Sequence, residues 1–148
     1  MAAERQAHAT WEGDLAGGRG TFSVGSGALG EQAVTWASRT ESSDGKTSPE
    51  ELIAAAFASC FSMALSGGLA RAGTPPTKLE TDAVATFDKR GEGYAFTTLE
   101  LTLRGQVEGI DEEAFRNAAE QAKDNCPVSQ ALKGNVEVSL DATLVRAD

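Results

Sequence analysis

The chain has 148 residues, and its 22 acidic against 13 basic side chains leave a net charge of −9. That length suits one domain, 1–148, with a core of its own, and the acidic balance argues against nucleic acid or an anionic membrane surface as a partner. Two cysteines and a single histidine, His8, fall short of the tetrahedral ligand set of a structural zinc site.

Met1 to Thr10 is polar and Ala-rich, without the charged-then-apolar pattern of a signal peptide, so the expected location is the cytoplasm. Residues 7–15 alternate loosely around Trp11, and Thr21 to Val24 follows a turn at Gly17-Gly18, which predicts two antiparallel strands. Gln32 to Arg39 reads as a third strand, with Val34 and Trp36 on one face and Arg39 at its exit. Glu41 to Lys46 is turn chemistry throughout.

A helix is predicted over 49–72. Ser48 is a good N-cap, Pro49 fits the first helical position and Glu51 completes a Ser-x-x-Glu capping box. From Leu52 to Leu65 only Ser59 and Ser62 are polar, and Ala72-Gly73-Thr74-Pro75-Pro76 stops the pattern. The apolar run 52–65 is too short to span a bilayer. A helix that is apolar all round calls for burial on every side. The remaining strands of a small chain are too few to enclose it, and a second copy packed alongside would supply the cover. A homodimer is therefore expected.

Residues 77–89 and Tyr94 to Leu103 flank a turn at Gly91-Glu92-Gly93 and predict a hairpin. Asp111 caps a helix whose Ala114, Phe115, Ala118, Ala119 and Ala122 recur at helical spacing. Pro127 opens a short helix closed by Gly134, and Val136, Val138, Leu140, Ala142 and Leu144 alternate as a last strand. The order β-β-β-α-β-β-α-α-β groups its strands, which gives an α+β class with antiparallel sheets around a long buried central helix.

The chemistry-bearing residues are few. Cys60 lies in the apolar helix, where a free cysteine commonly only fills space and burial makes a thiol less nucleophilic unless a cation compensates. Arg39 is the candidate cation. Cys126 sits at a helix N-terminus, where backbone N–H groups favour a thiolate, so on local grounds it is the more reactive of the two. A structural disulfide is disfavoured in a reducing cytosol. Glu50 lies in the first turn of the long helix and is not needed by the capping box. The glycines over 17–30 lack the spacing and following helix of a phosphate loop, and His8 is assigned no chemistry.

Two motifs add a resemblance. Ser48-Pro49-Glu50-Glu51-Leu52-Ile53-Ala54-Ala55-Ala56-Phe57-Ala58-Ser59-Cys60-Phe61-Ser62-Met63-Ala64-Leu65 resembles the central-helix signature of the OsmC/Ohr family, the osmotically inducible protein C and organic hydroperoxide resistance proteins. Cys126-Pro127-Val128-Ser129-Gln130-Ala131-Leu132 looks like that family's second-cysteine signature, and Trp11-Glu12-Gly13-Asp14 with Gly20-Thr21 looks like its OsmC branch. The resemblance implies an intertwined homodimer of OsmC-like α+β fold that reduces organic hydroperoxides. By it Cys60 attacks the peroxide, Cys126 resolves the sulfenic acid as a disulfide, and Arg39 and Glu50 are the family's paired arginine and glutamate. It implies an external dithiol as reductant and no metal, haem or flavin cofactor. Proteins of the branch often carry His where this chain has Phe57, a change that makes the surroundings more apolar. Two other readings stand beside it. A thiol-disulfide oxidoreductase would use the same cysteines on proteins, although no Cys-x-x-Cys is present. A non-enzymatic domain binding a small apolar ligand would leave both thiols inert.

Overall fold

Residues 1–147 are described by a computed structural model of the chain, and they fall into two units, one from Met1 to Leu52 and one from Ile53 onward. The first unit holds a three-stranded antiparallel sheet in the order β1 (Ala7–Glu12), β2 (Arg19–Val24), β3 (Gln32–Val34). Trp11 pairs with Gly20, and a Cβ at Gly20 would fall 2.7 Å from a carbon of the Trp11 ring. Only glycine lets the indole lie that close to the neighbouring strand.

The third strand ends early. Trp36 to Arg39 is not extended but belongs to a helix, α1 (Trp36–Thr40). Thr35 is its N-cap: the Thr35 hydroxyl accepts the Ser38 N–H at 3.0 Å, and the Ser38 hydroxyl accepts the Thr35 N–H at 3.0 Å. This reciprocal cap satisfies two backbone donors at once. It overrides the strand preference of Trp36, so Arg39 sits in a last helical turn rather than at a strand exit. The loop beyond turns through Asp44 and Gly45, both left-handed at φ 45° and 75°.

The long helix, α2 (Pro49–Arg71), runs unbroken through the boundary between the units. Ser48 accepts the Glu51 N–H at 3.2 Å, as a capping box requires, while the Glu51 carboxylate accepts the Thr47 hydroxyl at 2.6 Å. At the other end Thr74 N–H reaches Leu69 O and Gly73 N–H reaches Ala70 O, with Gly73 at φ 87°. That pair of bonds satisfies the last carbonyls and is open only to a residue that tolerates positive φ. With 23 residues α2 outruns the apolar stretch 52–65 and is, by length and composition alone, long enough to cross a membrane. Here it packs on protein instead, and Phe57, Phe61, Leu65 and Leu69 are each at most 1% exposed.

The second sheet has the order β4 (Pro76–Arg90), β5 (Gly93–Val107), β6 (Glu137–Leu144). The β4–β5 hairpin is antiparallel, turning at Gly91 with φ 63°. The β5–β6 pair is parallel, unlike the all-antiparallel expectation. Its cause is the connection: α3 (Glu112–Asn125) and α4 (Pro127–Leu132) lie between the two strands, and a crossover of that length returns the chain in the same direction. Leu99, Leu101, Leu103 and Val107 alternate along β5 and turn one face to the core. Phe57, Phe61, Leu65 and Leu69 of α2 meet them there, with Phe115, Ala119 and Ala122 of α3.

The burial of α2 is one-sided. Ala55, Ala56, Ser59 and Met63 are exposed, Met63 at 69%, so one chain covers only the face that carries the phenylalanines. The expectation of cover on every side is not met within a single chain.

Gly105 tests the packing of α3 on β5. A Cβ there would lie 2.3 Å and 2.6 Å from ring atoms of the fully buried Phe115 and 3.2 Å from Leu79. Gly105→Ala should therefore lower the unfolding free energy by about 1–3 kcal/mol, as overpacking does. Urea denaturation should show a lower midpoint at unchanged slope. An unchanged midpoint would mean that Phe115 is free to move.

Candidate functional site

The two cysteines, 66 positions apart, meet. Cys60 lies midway along α2 and is half-buried; Cys126 is fully buried; both are free thiols, and Cys60 packs against the core cluster that holds Cys126, near enough to influence its proton. Cys126 stands at a joint. Its N–H donates to Ala122 O at 2.9 Å, which ends α3, and its carbonyl accepts the Gln130 N–H at 3.0 Å, which begins α4.

Burial pushes the Cys126 thiol up, and the nearby Cys60 side chain pushes it further the same way. The Val128 and Ser129 N–H groups in the first turn of α4 act in the opposite direction, without forming a side-chain cap, and are outweighed. Negative charge on Cys60 would also raise it. The helix N-terminus is thus where the sequence places it, but desolvation decides the balance at Cys126. Read by its local position alone, this cysteine looks more reactive than its surroundings make it.

Arg39 and Glu50, both in the first unit, form the expected ion pair. The Arg39 Nη2 donates to Glu50 Oε1 at 2.7 Å, and Nε lies 3.1 Å from each carboxylate oxygen. Glu50 is 5% exposed, and a carboxylate so buried demands a cation in this geometry. On the other side, the Arg39 guanidinium carbon lies 5.9 Å from the centre of the Trp36 ring, within cation–π range. Trp36, which the strand reading of 32–39 puts on a strand face, and Ser38, to which that reading gives no role, both lie on α1 with Arg39. The signal that finds them is the Thr-x-x-Ser cap.

Phe57, Phe61 and Leu65 are core residues, whereas Met63 lies on the open face of α2. A cleft of about 450 Å³ opens between Gly67 and Gly68 of α2 and Ala114 and Ala118 of α3, and another of about 670 Å³ lies beside Val107 and Leu144. Neither is lined by a cysteine, and the thiol pair marks the candidate site. Among the described residues no three of His, Cys, Asp and Glu converge to hold a metal ion.

The raised Cys126 fixes the sign of a pH effect. The folded state holds this proton more tightly than the unfolded chain, so its contribution to stability is complete below the ordinary thiol range and is lost as pH rises through the folded value. Urea midpoints measured between about pH 8 and pH 10.5, a span that brackets ordinary thiol titration, should fall more steeply for the wild type than for Cys126→Ala. Parallel curves would remove the effect.

Residues 42–141 match the family described as OsmC-like protein. The chain is 44% identical over 144 residues to the peroxiredoxin OsmC of Escherichia coli, covering 97% of this chain and 99% of that protein. It is 34% identical over 99 residues to the organic hydroperoxide resistance protein OhrA of Bacillus subtilis, covering 64% of this chain and 66% of that one. A crystal structure of an organic hydroperoxide resistance protein from Elizabethkingia anophelis superposes with a TM-score of 0.74 at 26% identity, over 98% of this chain and 100% of that chain. Similarity over nearly the whole length to a peroxiredoxin, and in fold to a hydroperoxide resistance protein, points to a peroxide-related redox role, and this chain belongs to the OsmC-like protein family.

Proposed function

We propose that the chain is a cytoplasmic thiol peroxidase that reduces organic hydroperoxides to alcohols, with 1–148 acting as one domain. The observation that carries this reading is the closeness of the free thiols of Cys60 and Cys126, two residues far apart in sequence and neighbours in the core. Cys60 attacks as the thiolate: its sulfur bonds the terminal peroxide oxygen, the O–O bond breaks, and the electron pair leaves on the alkoxide, which takes up a proton. Cys60 is then a sulfenic acid. Cys126 attacks that sulfur, releasing water and leaving a Cys60–Cys126 disulfide. An external dithiol restores both thiols through a mixed disulfide. Arg39 stabilises the thiolate and the departing alkoxide, and Glu50 holds the guanidinium in register. An alkyl or aryl hydroperoxide gains about 0.8 kcal/mol for each CH₂ it buries, a gain that hydrogen peroxide lacks.

Two features support a homodimer. The apolar face of α2 that carries Ala55, Ala56 and Met63 is uncovered in one chain, and every residue of β1 is exposed. Ten residues of continuous helix separate Glu50 from Cys60, or about 15 Å along the axis, and helical side chains lean toward the N-terminus, away from Cys60. The Arg39–Glu50 pair of one chain therefore serves the Cys60 of its partner. Because Arg39 and Glu50 are paired within one chain, both come from the same protomer.

The reaction is tested with one equivalent of cumene hydroperoxide and mass spectrometry. Wild type should lose both thiols to a Cys60–Cys126 disulfide, and faster than with hydrogen peroxide. Cys60→Ser should consume nothing; Cys126→Ser should form one sulfenic acid and stop. First turnover in Cys60→Ser but not in Cys126→Ser would reverse the roles. Failure of the wild type to react would favour an inert binding domain, while oxidation only by protein disulfides would favour an oxidoreductase.

The shared site is tested by complementation. Glu50→Ala and Cys60→Ser proteins, each inactive alone, should regain activity when unfolded and refolded together, since half of each hybrid pairs an intact Glu50 with an intact partner Cys60. Hybrid dimers that remain inactive would place Glu50 in its own chain's site or outside the reaction.

A further inference from the structure

Two polar side chains are buried among the described residues, Glu50 and Ser38, the latter 9% exposed. The ion pair accounts for Glu50. Nothing in the proposed chemistry uses Ser38, yet its hydroxyl is the most heavily engaged in the first unit. It accepts the Thr35 N–H at 3.0 Å and faces two carbonyls to which it can donate, Thr35 O at 2.9 Å and Thr47 O at 3.2 Å. A hydroxyl has one proton, so the two carbonyls share it.

The contacts with Thr35 are local and belong to the helix cap. The contact with Thr47 is of another kind. It spans nine residues and ties α1 to the segment that enters α2. The residue after Ser38 is Arg39, and three residues beyond Thr47 stands Glu50. The ends of the ion pair therefore hang on the two points that this hydroxyl joins. Between those points the chain runs through the exposed, left-handed turn at Asp44 and Gly45, which on its own fixes neither helix against the other.

We infer that Ser38 is a positioning residue for the Arg39–Glu50 pair: its bond to the Thr47 carbonyl holds α1 against the start of α2 and so sets the guanidinium on the buried carboxylate. The inference rests on the proposed reaction only for its effect on rate. A guanidinium displaced by about 1 Å from a reacting sulfur loses most of its value to catalysis.

Two readouts separate the positioning from the chemistry. The first is hydrogen exchange of the Arg39 Nε–H, followed by NMR with its signal assigned through Arg39→Lys. The second is the rate of the first turnover of Cys60 with cumene hydroperoxide. Ser38→Ala should accelerate the exchange and slow the turnover by about ten- to a hundredfold, the range that misplacement of a catalytic group produces. Ser38→Thr keeps the hydroxyl and should restore both. Thr35→Ala removes the cap but not the Thr47 contact, and should leave both near wild type although it too weakens the helix. Should Ser38→Ala not fold, Ser38→Cys, of similar size but a weak donor, takes its place. Unchanged Nε–H exchange in Ser38→Ala, or equal acceleration in Thr35→Ala, overturns the inference. Accelerated exchange at an unchanged rate would leave Ser38 as the positioning residue and remove Arg39 from the proposed reaction.

Discussion

A helix with no polar face cannot be finished by a single sheet, and that constraint governs this chain. Phe57, Phe61, Leu65 and Leu69 recur at four-residue spacing and fill the space over β5, so one stripe of α2 is dry. The opposite stripe is small and apolar, with alanines, Ser59 and Met63, and it stays open. An ordinary amphipathic helix would carry charge there, as α3 does with Glu113, Arg116 and Glu120 exposed on its outer side. The absence of charge along this stripe, from Ala55 to Met63, suits it to further apolar contact. In the proposed homodimer a second copy of the chain meets that demand at no cost in new sequence, and on the proposed mechanism one protomer completes the other's site.

Burial then decides how the two thiols differ. A helix N-terminus is the usual device for lowering a thiol, and Cys126 has one, but its N–H groups act on a sulfur from which water is excluded and beside which a second thiol lies. The outcome is a protonated thiol beside a half-buried partner. On the proposed mechanism this suits a resolving residue. It is shielded from peroxide by burial, and it has a proton to surrender when hydroxide departs from the sulfenic acid. Negative charge on Cys60 would hold the Cys126 proton more tightly still.

Much of this was legible in the residues. Ser48-Pro49 with Glu51, Gly73 beyond the helix, Asp111 before α3 and Pro127 at the start of α4 each mark a helix end by a physical device, and the structure places the ends there. What escaped was short or directional. A three-residue strand and a five-residue helix carry too few positions for periodicity to tell them apart, and only the Thr35–Ser38 cap distinguishes them. The parallel pairing of β6 depends on what its connection does in space, which alternation in Val138, Leu140 and Ala142 does not encode. The meeting of Cys60 with Cys126 was likewise beyond local pattern. Position alone favoured Cys126, because the sequence displays the helix N-terminus and not the packing that removes the water.

The ion pair shows the same division between what a residue type offers and what its surroundings make of it. An arginine near a strand end reads as a solvated surface charge, and a glutamate in a first helical turn reads as a partner for the helix dipole. Brought together, with Glu50 out of water, they form a unit in which neither can be removed without stranding the other. The guanidinium is held on one side by the carboxylate and lies beside the Trp36 ring on the other, so it loses little freedom on meeting an anion. On the proposed mechanism a cation prepared in this way, rather than the local character of either cysteine, lets a thiol in an apolar helix act as a nucleophile: the charge that burial disfavours at sulfur is offset by one that the buried Glu50 already holds in place.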